Sequence, residues 1–218
     1  ANNGTADAVT GTFAGLGNGA IVTATGGLQY RIFYNGGDGN DVVLIGRPTT
    51  LSNVFVSTAF SGMAAGTFIA DVDFLSAGPQ SGVYGIDAHA TVAEGISAVD
   101  AYGVIHVDQG TYLHTGTLLI NKSVTIDGQG MGLTRLQKVG APTGNFDEAI
   151  RITANDVTIS DVQLGWQIHN TTDYQGYVIV TTADNTTISR VLFGSNATGE
   201  GYRSAVVFEG AAGNGADG

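Results

Sequence analysis

A short pattern of alternating apolar and hydroxyl residues occurs three times and constrains the fold more than any other feature. The copies are Ser-Val-Thr-Ile-Asp at 123–127, Asp-Val-Thr-Ile-Ser at 156–160 and Asn-Thr-Thr-Ile-Ser at 185–189. A strand directs successive side chains to opposite faces, so the isoleucine of each copy is predicted to point inward and the central threonine outward. The copies recur at intervals of about 30 residues, which predicts coils of that length.

Aligning the copies produces columns of equivalent side chains. One column holds Ile126, Ile159 and Ile188, a second Val124, Val157 and Thr186, and a third Thr125, Thr158 and Thr187. The strands that alternate with the pattern also align, at 118–120, 149–152, 177–180 and 205–208. A single coil of this kind cannot bury its apolar face alone, so the coils are predicted to stack in register.

The segment Thr91–Ala101 is predicted to be a helix that covers the first coil. Thr91 and Glu94 have the spacing of a capping box. The apolar face, expected to be buried, consists of Val92, Ile96 and Val99. Such a cover is needed because the first coil would otherwise expose its core and unpaired strand edges.

The segments that follow this helix resemble a known architecture. A strand containing Val104 to Val107 precedes a Gly-Thr-Tyr turn at 110–112, and an Asp-Gly-Gln-Gly turn occupies 127–130. This order resembles the start of right-handed parallel β-helices of the pectin-lyase-like superfamily, over roughly residues 85–208. The resemblance implies an all-β fold, with a right-handed parallel β-helix (solenoid) and its N-terminal capping helix in 53–218. We expect this β-helix to be incomplete at its C-terminal end, because 210–218 is not apolar enough to complete a coil.

A small β unit is predicted at 1–46, joined by a linker at 47–52. Glycine-rich separators divide it into four short strands at Thr10–Phe13, Ala20–Thr25, Leu28–Tyr34 and Asp41–Ile45. The sequence of 10–45 resembles the unit that closes autotransporter-associated β-strand repeats. That resemblance implies a large bacterial surface protein.

The composition restricts the partners. The chain has 218 residues, a net charge of −11 and no cysteine. This negative charge disfavours nucleic acid, and no apolar run reaches the ~20 residues needed for membrane insertion. We expect a bacterial cell-surface or extracellular location, where polysaccharide, neighbouring protein subunits or divalent cations are the natural partners.

One segment of the N-terminal unit has the spacing of a calcium site. Residues 36–44 match the nonapeptide G-G-x-G-x-D-x-U-x, in which glycines turn backbone carbonyls toward the ion. Asp41 would supply the principal carboxylate, helped by Asp38 and Asn40. The pattern occurs once here, so a simple Gly-Asp turn before a strand is the alternative interpretation.

Three aromatic residues in the coil region form a candidate glycan platform, namely Trp166, Tyr174 and Tyr177. Packing of a loop on the coils is the alternative. No catalytic residue is assigned, because the Asn-Thr-Asp, Asp-Asp and Arg-Ile-Lys motifs of the superfamily's hydrolases are absent. The polar residues that could line a groove are Arg151, Asp161, His169, Asp173, Arg190 and Arg203. Among them, Asp161 and Arg190 align in the repeat, which predicts a salt bridge between coils.

Two classes of function follow from these observations. The first is a structural or adhesive segment of a large secreted bacterial surface protein without enzymatic activity. The second is a carbohydrate-active module, either a lyase or hydrolase or a glycan-binding β-helix.

Overall fold

The computed structural model describes residues 9–36, 41–46, 50–73, 80–140, 147–167, 176–194 and 204–209. Over these residues the chain has an all-β fold dominated by parallel strand pairs. Among the described helices, none is long and apolar enough to cross a bilayer.

The N-terminal residues form an antiparallel sheet. Its strands are β1 (Ile21–Thr23), β2 (Gln29–Gly36) and β3 (Asp41–Gly46), in that order. The predicted strand at Thr10–Phe13 is wrong. The chain bends there because Gly11 has φ +85° and the Phe13 N–H donates to Tyr34 Oη at 2.8 Å.

Short elements lead from this sheet to the helix. The strands are β4 (Asn53–Val56), β5 (Phe68–Ile69), β6 (Gly82–Val83) and β7 (Ala88–His89), with a 3₁₀ turn at Thr58–Phe60. β5 and β6 pair with each other, and β4 runs parallel to β7.

The predicted capping helix is present as α1 (Val92–Ala98). Thr91 Oγ1 accepts from the Glu94 N–H, and Glu94 Oε2 accepts from the Thr91 N–H, which completes the capping box. The predicted apolar face is buried, since Val92, Ile96 and Val99 are all at most 4 % exposed. The helix ends three residues earlier than predicted, because Asp100 leaves it to exchange hydrogen bonds with Leu51.

Parallel strands then form three stacks. The first stack contains β8 (Gly103–Val107), β11 (Val124–Gly128) and the first parts of β14 (Thr158–Trp166) and β16 (Thr187–Phe193). The second stack contains β9 (Gly110–His114), β12 (Thr134–Lys138) and the second parts of β14 and β16. The third stack contains β10 (Leu118–Ile120), β13 (Glu148–Ile152), β15 (Tyr177–Thr181) and β17 (Ser204–Phe208).

The strand register confirms two of the three columns predicted from the repeat, those of isoleucine and threonine. Ile126 pairs with Ile159, and Ile159 pairs with Ile188. The first two are 0 % exposed, and Ile188 is half-buried against the same core. The threonine column is also in register, and its members are half-buried or exposed, as an outward position requires.

The second stack was not predicted. Gly110–Tyr112, expected to be a turn, begins β9 instead, and β12 lies where the sequence analysis assigned no strand. Contacts between coils explain how polar residues occupy these strands. Arg135 Nε, for example, donates to Gln163 Oε1 at 2.9 Å across the β12–β14 pair.

The bend between the first and second stacks uses left-handed backbone. Asp161 has φ +56° and Arg190 has φ +50°, at equivalent points of β14 and β16. Arg190 Nε donates to Asp161 Oδ1 at 2.7 Å, so the predicted salt bridge between coils is confirmed.

The N-terminal sheet packs on the region that begins the stacks. Phe33 of β2 is 1 % exposed and belongs to the same apolar cluster as Leu51 and Val54. A Cβ at Gly66 would lie 3.0 Å from the Phe33 ring, which shows how closely the ring approaches that backbone. Leu51, within the expected linker, is itself buried.

Candidate functional site

A cleft of about 810 Å³ lies beside the first coil, and we call it the cap cleft. Most of its lining comes from the continuous segment 111–119, which comprises β9, a turn and β10. The opposite wall is formed by the start of α1 at 90–93 and by Thr58 and Ser61. The cleft lies beside α1, which packs on β4, β7, β8 and β10, whereas β9 contacts the 3₁₀ turn at Thr58–Phe60.

One edge of β9 faces away from its partner strand. The Gly110 N–H donates to the Leu133 carbonyl, and the His114 carbonyl accepts from Val139. Alternate residues of a strand direct their backbone groups to opposite sides. Residues 110, 112 and 114 therefore bond to β12, and the N–H and C=O of Thr111 and Leu113 point to the other side, where β9 pairs with no described strand.

β10 presents a similar edge. The Ile120 carbonyl accepts from the Thr153 N–H, so Leu118 and Ile120 direct their backbone groups toward β13. Leu119, between them, directs its own backbone groups away from β13. Within the described chain β10 is the edge strand of the third stack, and Leu119 lines the cap cleft.

The lining of the cap cleft is uncharged apart from one titratable ring. Its described residues include no Asp, Glu, Lys or Arg, and Leu113 and Leu119 are roughly half exposed. The ring is that of His114, whose Nδ1 lies 2.7 Å from the Gly116 carbonyl and therefore donates to it. Burial, with Lys138 nearby, holds the pKa of His114 below its usual value, which favours the neutral ring.

A second cleft of about 400 Å³ continues from the first through Thr117 and Leu119. Its remaining lining is charged and consists of Asp147, Glu148 and Arg151. The two clefts thus join an uncharged surface to a charged one along the outer side of the third stack.

The charged groups around the second cleft are held in ion pairs with one another. Arg151 donates from Nε to Glu148 Oε2 at 2.7 Å and from Nη1 to Glu209 Oε2 at 3.2 Å. Lys138 Nζ lies 2.5 Å from Asp147 Oδ1. Glu148, as hydrogen-bond acceptor, raises the pKa of Arg151, which removes this guanidinium as a proton acceptor. A catalytic base requires a group that can take up a proton.

The candidate glycan platform is not assembled as the sequence suggested. Trp166 is 1 % exposed, and Lys138 Nζ lies over its ring at 4.7 Å. A ring that is buried and covered in this way presents no face to a sugar. Tyr177 is half-buried at the start of β15, and Tyr174 lies outside the described residues.

The predicted calcium residues are only partly described. Asp41 is the first residue of β3 and pairs with Gly36 across the hairpin, whereas Asp38 and Asn40 lie outside the described residues. Among the described residues, no three acidic or histidine side chains form a cluster that could hold a metal ion. Calcium binding at residues 36–44 stays a prediction.

The other polar residues named from the sequence do not share one groove in the described structure. Arg151 lines the second cleft, whereas Asp161 and Arg190 lie at the bend between the first and second stacks. His169, Asp173 and Arg203 are outside the described residues. Sequence reasoning missed the cap cleft altogether, because its chief signal is a strand, 110–114, with no partner on one side.

No family model, no curated protein and no solved structure matches this chain.

Proposed function

We propose that this chain is a right-handed parallel β-helix, capped by α1, that serves as a structural or adhesive segment of a large secreted bacterial surface protein. The observation that carries the proposal is the register of the three stacks, in which equivalent residues of successive coils lie side by side. Such an arrangement forms a rod in which each coil is stabilised by its neighbours.

The paired charges support a passive role. Glu148, Arg151 and Glu209 form one ion cluster, and Lys138 pairs with Asp147. These contacts stabilise the fold and engage Arg151, Lys138 and Asp147, which are the groups that proton transfer at the second cleft would require. The resemblance of residues 10–45 to autotransporter-associated repeats, together with the net charge of −11, favours a cell-surface setting.

The decisive experiment compares Arg151→Ala with Arg190→Ala in lyase and hydrolase assays on a panel of acidic and neutral polysaccharides. We expect no turnover by the unmodified chain, with calcium present or removed. We also expect Arg151→Ala to lower the melting temperature, because it leaves Glu148 without its partner. Turnover that Arg151→Ala abolishes and Arg190→Ala preserves would instead establish an enzyme.

A carbohydrate-active module is the second candidate, and one observation favours it. The cap cleft and the second cleft share Thr117 and Leu119, so they are neighbours and offer a polymer two adjacent surfaces. A glycan array decides this point. Binding that Arg151→Ala weakens and Arg190→Ala preserves would support a glycan-binding β-helix.

A further inference from the structure

One edge of β9 pairs with no described strand and faces the cap cleft. Proteins usually cover or interrupt an exposed strand edge, because its unpaired N–H and C=O groups accept any extended chain. Here Thr111 and Leu113 present such groups to a cleft, and Leu119 of β10 presents another pair at the same cleft. None of the three amides has a hydrogen-bond partner among the described residues.

We propose that the cap cleft binds an uncharged peptide segment, which adds to β9 as an extra strand. Thr111 and Leu113 lie two residues apart, so their outward groups repeat at about 6.6–6.8 Å, the spacing of an extended peptide. Strand addition of this kind supplies affinity through backbone hydrogen bonds. The cleft volume of about 810 Å³ falls within the about 300–1,000 Å³ of typical ligand sites.

The lining decides the chemistry of the peptide. Although the net charge is −11, the described lining residues of this cleft include no Asp, Glu, Lys or Arg, so a charged residue of the partner would find no counterion among them. Leu113 and Leu119 offer apolar surface, and the hydroxyls of Thr58, Ser61 and Thr111 offer neutral hydrogen-bonding groups. A peptide with small apolar and hydroxyl side chains would complement both the apolar surface and the hydroxyl groups of the cleft.

The same lining disfavours a sugar. Among the described lining residues, Tyr112 is the one aromatic residue besides His114, and it is 5 % exposed. The Tyr112 hydroxyl already donates to backbone carbonyls of Val56 and Asp108. No aromatic face is therefore open for stacking on a sugar ring. This peptide site is independent of the structural role proposed above, because it involves the cap cleft alone.

The test uses the synthetic peptide acetyl-Gly-Thr-Val-Thr-Val-Thr-Gly-amide and the full chain, with calorimetry as the readout. Leu113→Pro deletes the outward N–H and leaves the bonds to β12 intact, and proline is tolerated on an edge whose N–H faces outward. We expect Leu113→Pro to weaken binding by about tenfold or more, as for one lost hydrogen bond in a desolvated site. The matched control Leu113→Ala loses the same apolar side chain and keeps the N–H, so the peptide should bind Leu113→Ala about tenfold or more tightly than Leu113→Pro.

Amide hydrogen exchange gives a second readout that does not depend on the variant folding. The Thr111 and Leu113 amides should exchange quickly in the free chain and at least about tenfold more slowly with the peptide. The Tyr112 amide bonds to β12 and should be protected in both states. Protection of Thr111 and Leu113 in the free chain would show that the edge is already covered and would overturn the proposal.

Two further outcomes would overturn it. The first is equal affinity of the peptide for Leu113→Pro and for the unmodified chain. The second comes from a parallel titration with cellohexaose: if this neutral oligosaccharide binds the cleft and the peptide does not, the site takes glycans. If Leu113→Pro fails to fold, peptides N-methylated at alternate amides probe the same hydrogen bonds, and unchanged affinity of every methylated form would refute strand addition.

Discussion

Lys138 Nζ lies 4.7 Å from the centre of the Trp166 ring, which occupies the neighbouring strand of the second stack. The same ammonium contacts Asp147 Oδ1 at 2.5 Å and donates to the Glu148 carbonyl at 2.9 Å. Lys138 is only 8 % exposed. An ammonium loses its hydrating water when it is buried. Here a carboxylate, a carbonyl and an aromatic face compensate for that loss.

Lys138→Met should lower the free energy of unfolding by about 1–3 kcal/mol, because it leaves Asp147 without its cation and the Glu148 carbonyl without a donor. Urea denaturation measures the change. Arg190→Met is the control, since Arg190 forms an exposed ion pair whose loss should leave stability nearly unchanged. Equal effects of the two substitutions would contradict a special role for the buried ammonium.

Ile159→Ala should lower the free energy of unfolding by about 2–5 kcal/mol, because Ile159 is fully buried between two coils. Ile188→Ala should cost less, since Ile188 is half-buried and packs against a described coil on one side only. Chemical denaturation of both variants provides the comparison. A larger loss of stability for Ile188→Ala than for Ile159→Ala would contradict the burial that the aligned isoleucines predict.

Gly66→Ala should loosen the contact between the N-terminal sheet and the rest of the chain. Its Cβ would lie 3.0 Å from the Phe33 ring, at a backbone with φ +93°. Gly62→Ala is matched, because Gly62 has φ +81° and nothing within 4 Å of the added Cβ. Backbone strain should cost each variant about 1–2 kcal/mol, and overpacking should add about 1–3 kcal/mol at Gly66 alone. If Gly66→Ala and Gly62→Ala have the same melting temperature, the Phe33 ring moves aside without a measurable cost and the contact is not tightly packed.

Stability should fall as the pH drops through about 6.5, the ordinary pKa of histidine. Burial lowers the pKa of both His89 and His114 in the folded chain. The unfolded chain therefore binds more protons in this range, so acid favours unfolding and the stabilising effect is complete only above the ordinary pKa. Melting temperatures between pH values of about 5 and 8 test this. A double variant, His89→Asn with His114→Asn, should flatten the profile, and an unchanged slope would refute this origin.

Calcium should stabilise the chain weakly if residues 36–44 bind it, with a dissociation constant in the ~10⁻⁴–10⁻³ M range of extracellular modules. A calcium concentration ten times that constant would add about 1.4 kcal/mol. Scanning calorimetry with calcium and with a chelator measures the shift, and Asp41→Ala should abolish it. If the unmodified chain unfolds identically with calcium and with the chelator, residues 36–44 do not bind calcium and form a simple hairpin turn.

The first and third stacks could be predicted from the sequence, because Val-Thr-Ile alternation and aligned aliphatic strands mark their buried faces directly. The second stack could not. Its strand β12 reads Thr-Arg-Leu-Gln-Lys, and Gln137 and Lys138 are buried all the same. Their burial depends on partners from neighbouring strands, such as Trp166 beside Lys138. Those partners are distant in sequence, so the polar residues of β12 could not be recognised as buried from the sequence alone.

Long-range contacts also determined the details that sequence reasoning missed. The helix stops early because Asp100 bonds to Leu51, 49 residues away. The cap cleft depends on which edges α1 leaves uncovered, and that is a property of packing. The expected Trp166 platform relied on a loop position, whereas the residue ends β14 and points into the core.

The parallel register has a mechanical consequence. Equivalent residues such as Ile126, Ile159 and Ile188 lie on neighbouring parallel strands, 33 and 29 residues apart in sequence. In the β-helix proposed above, a force along the stack would therefore load one coil at a time. Each coil that detached would release roughly 100 Å of extended chain, at up to ~3.3–3.6 Å per residue. Under tension the chain would lengthen in steps and dissipate work, whereas against bending its stacked core would remain stiff.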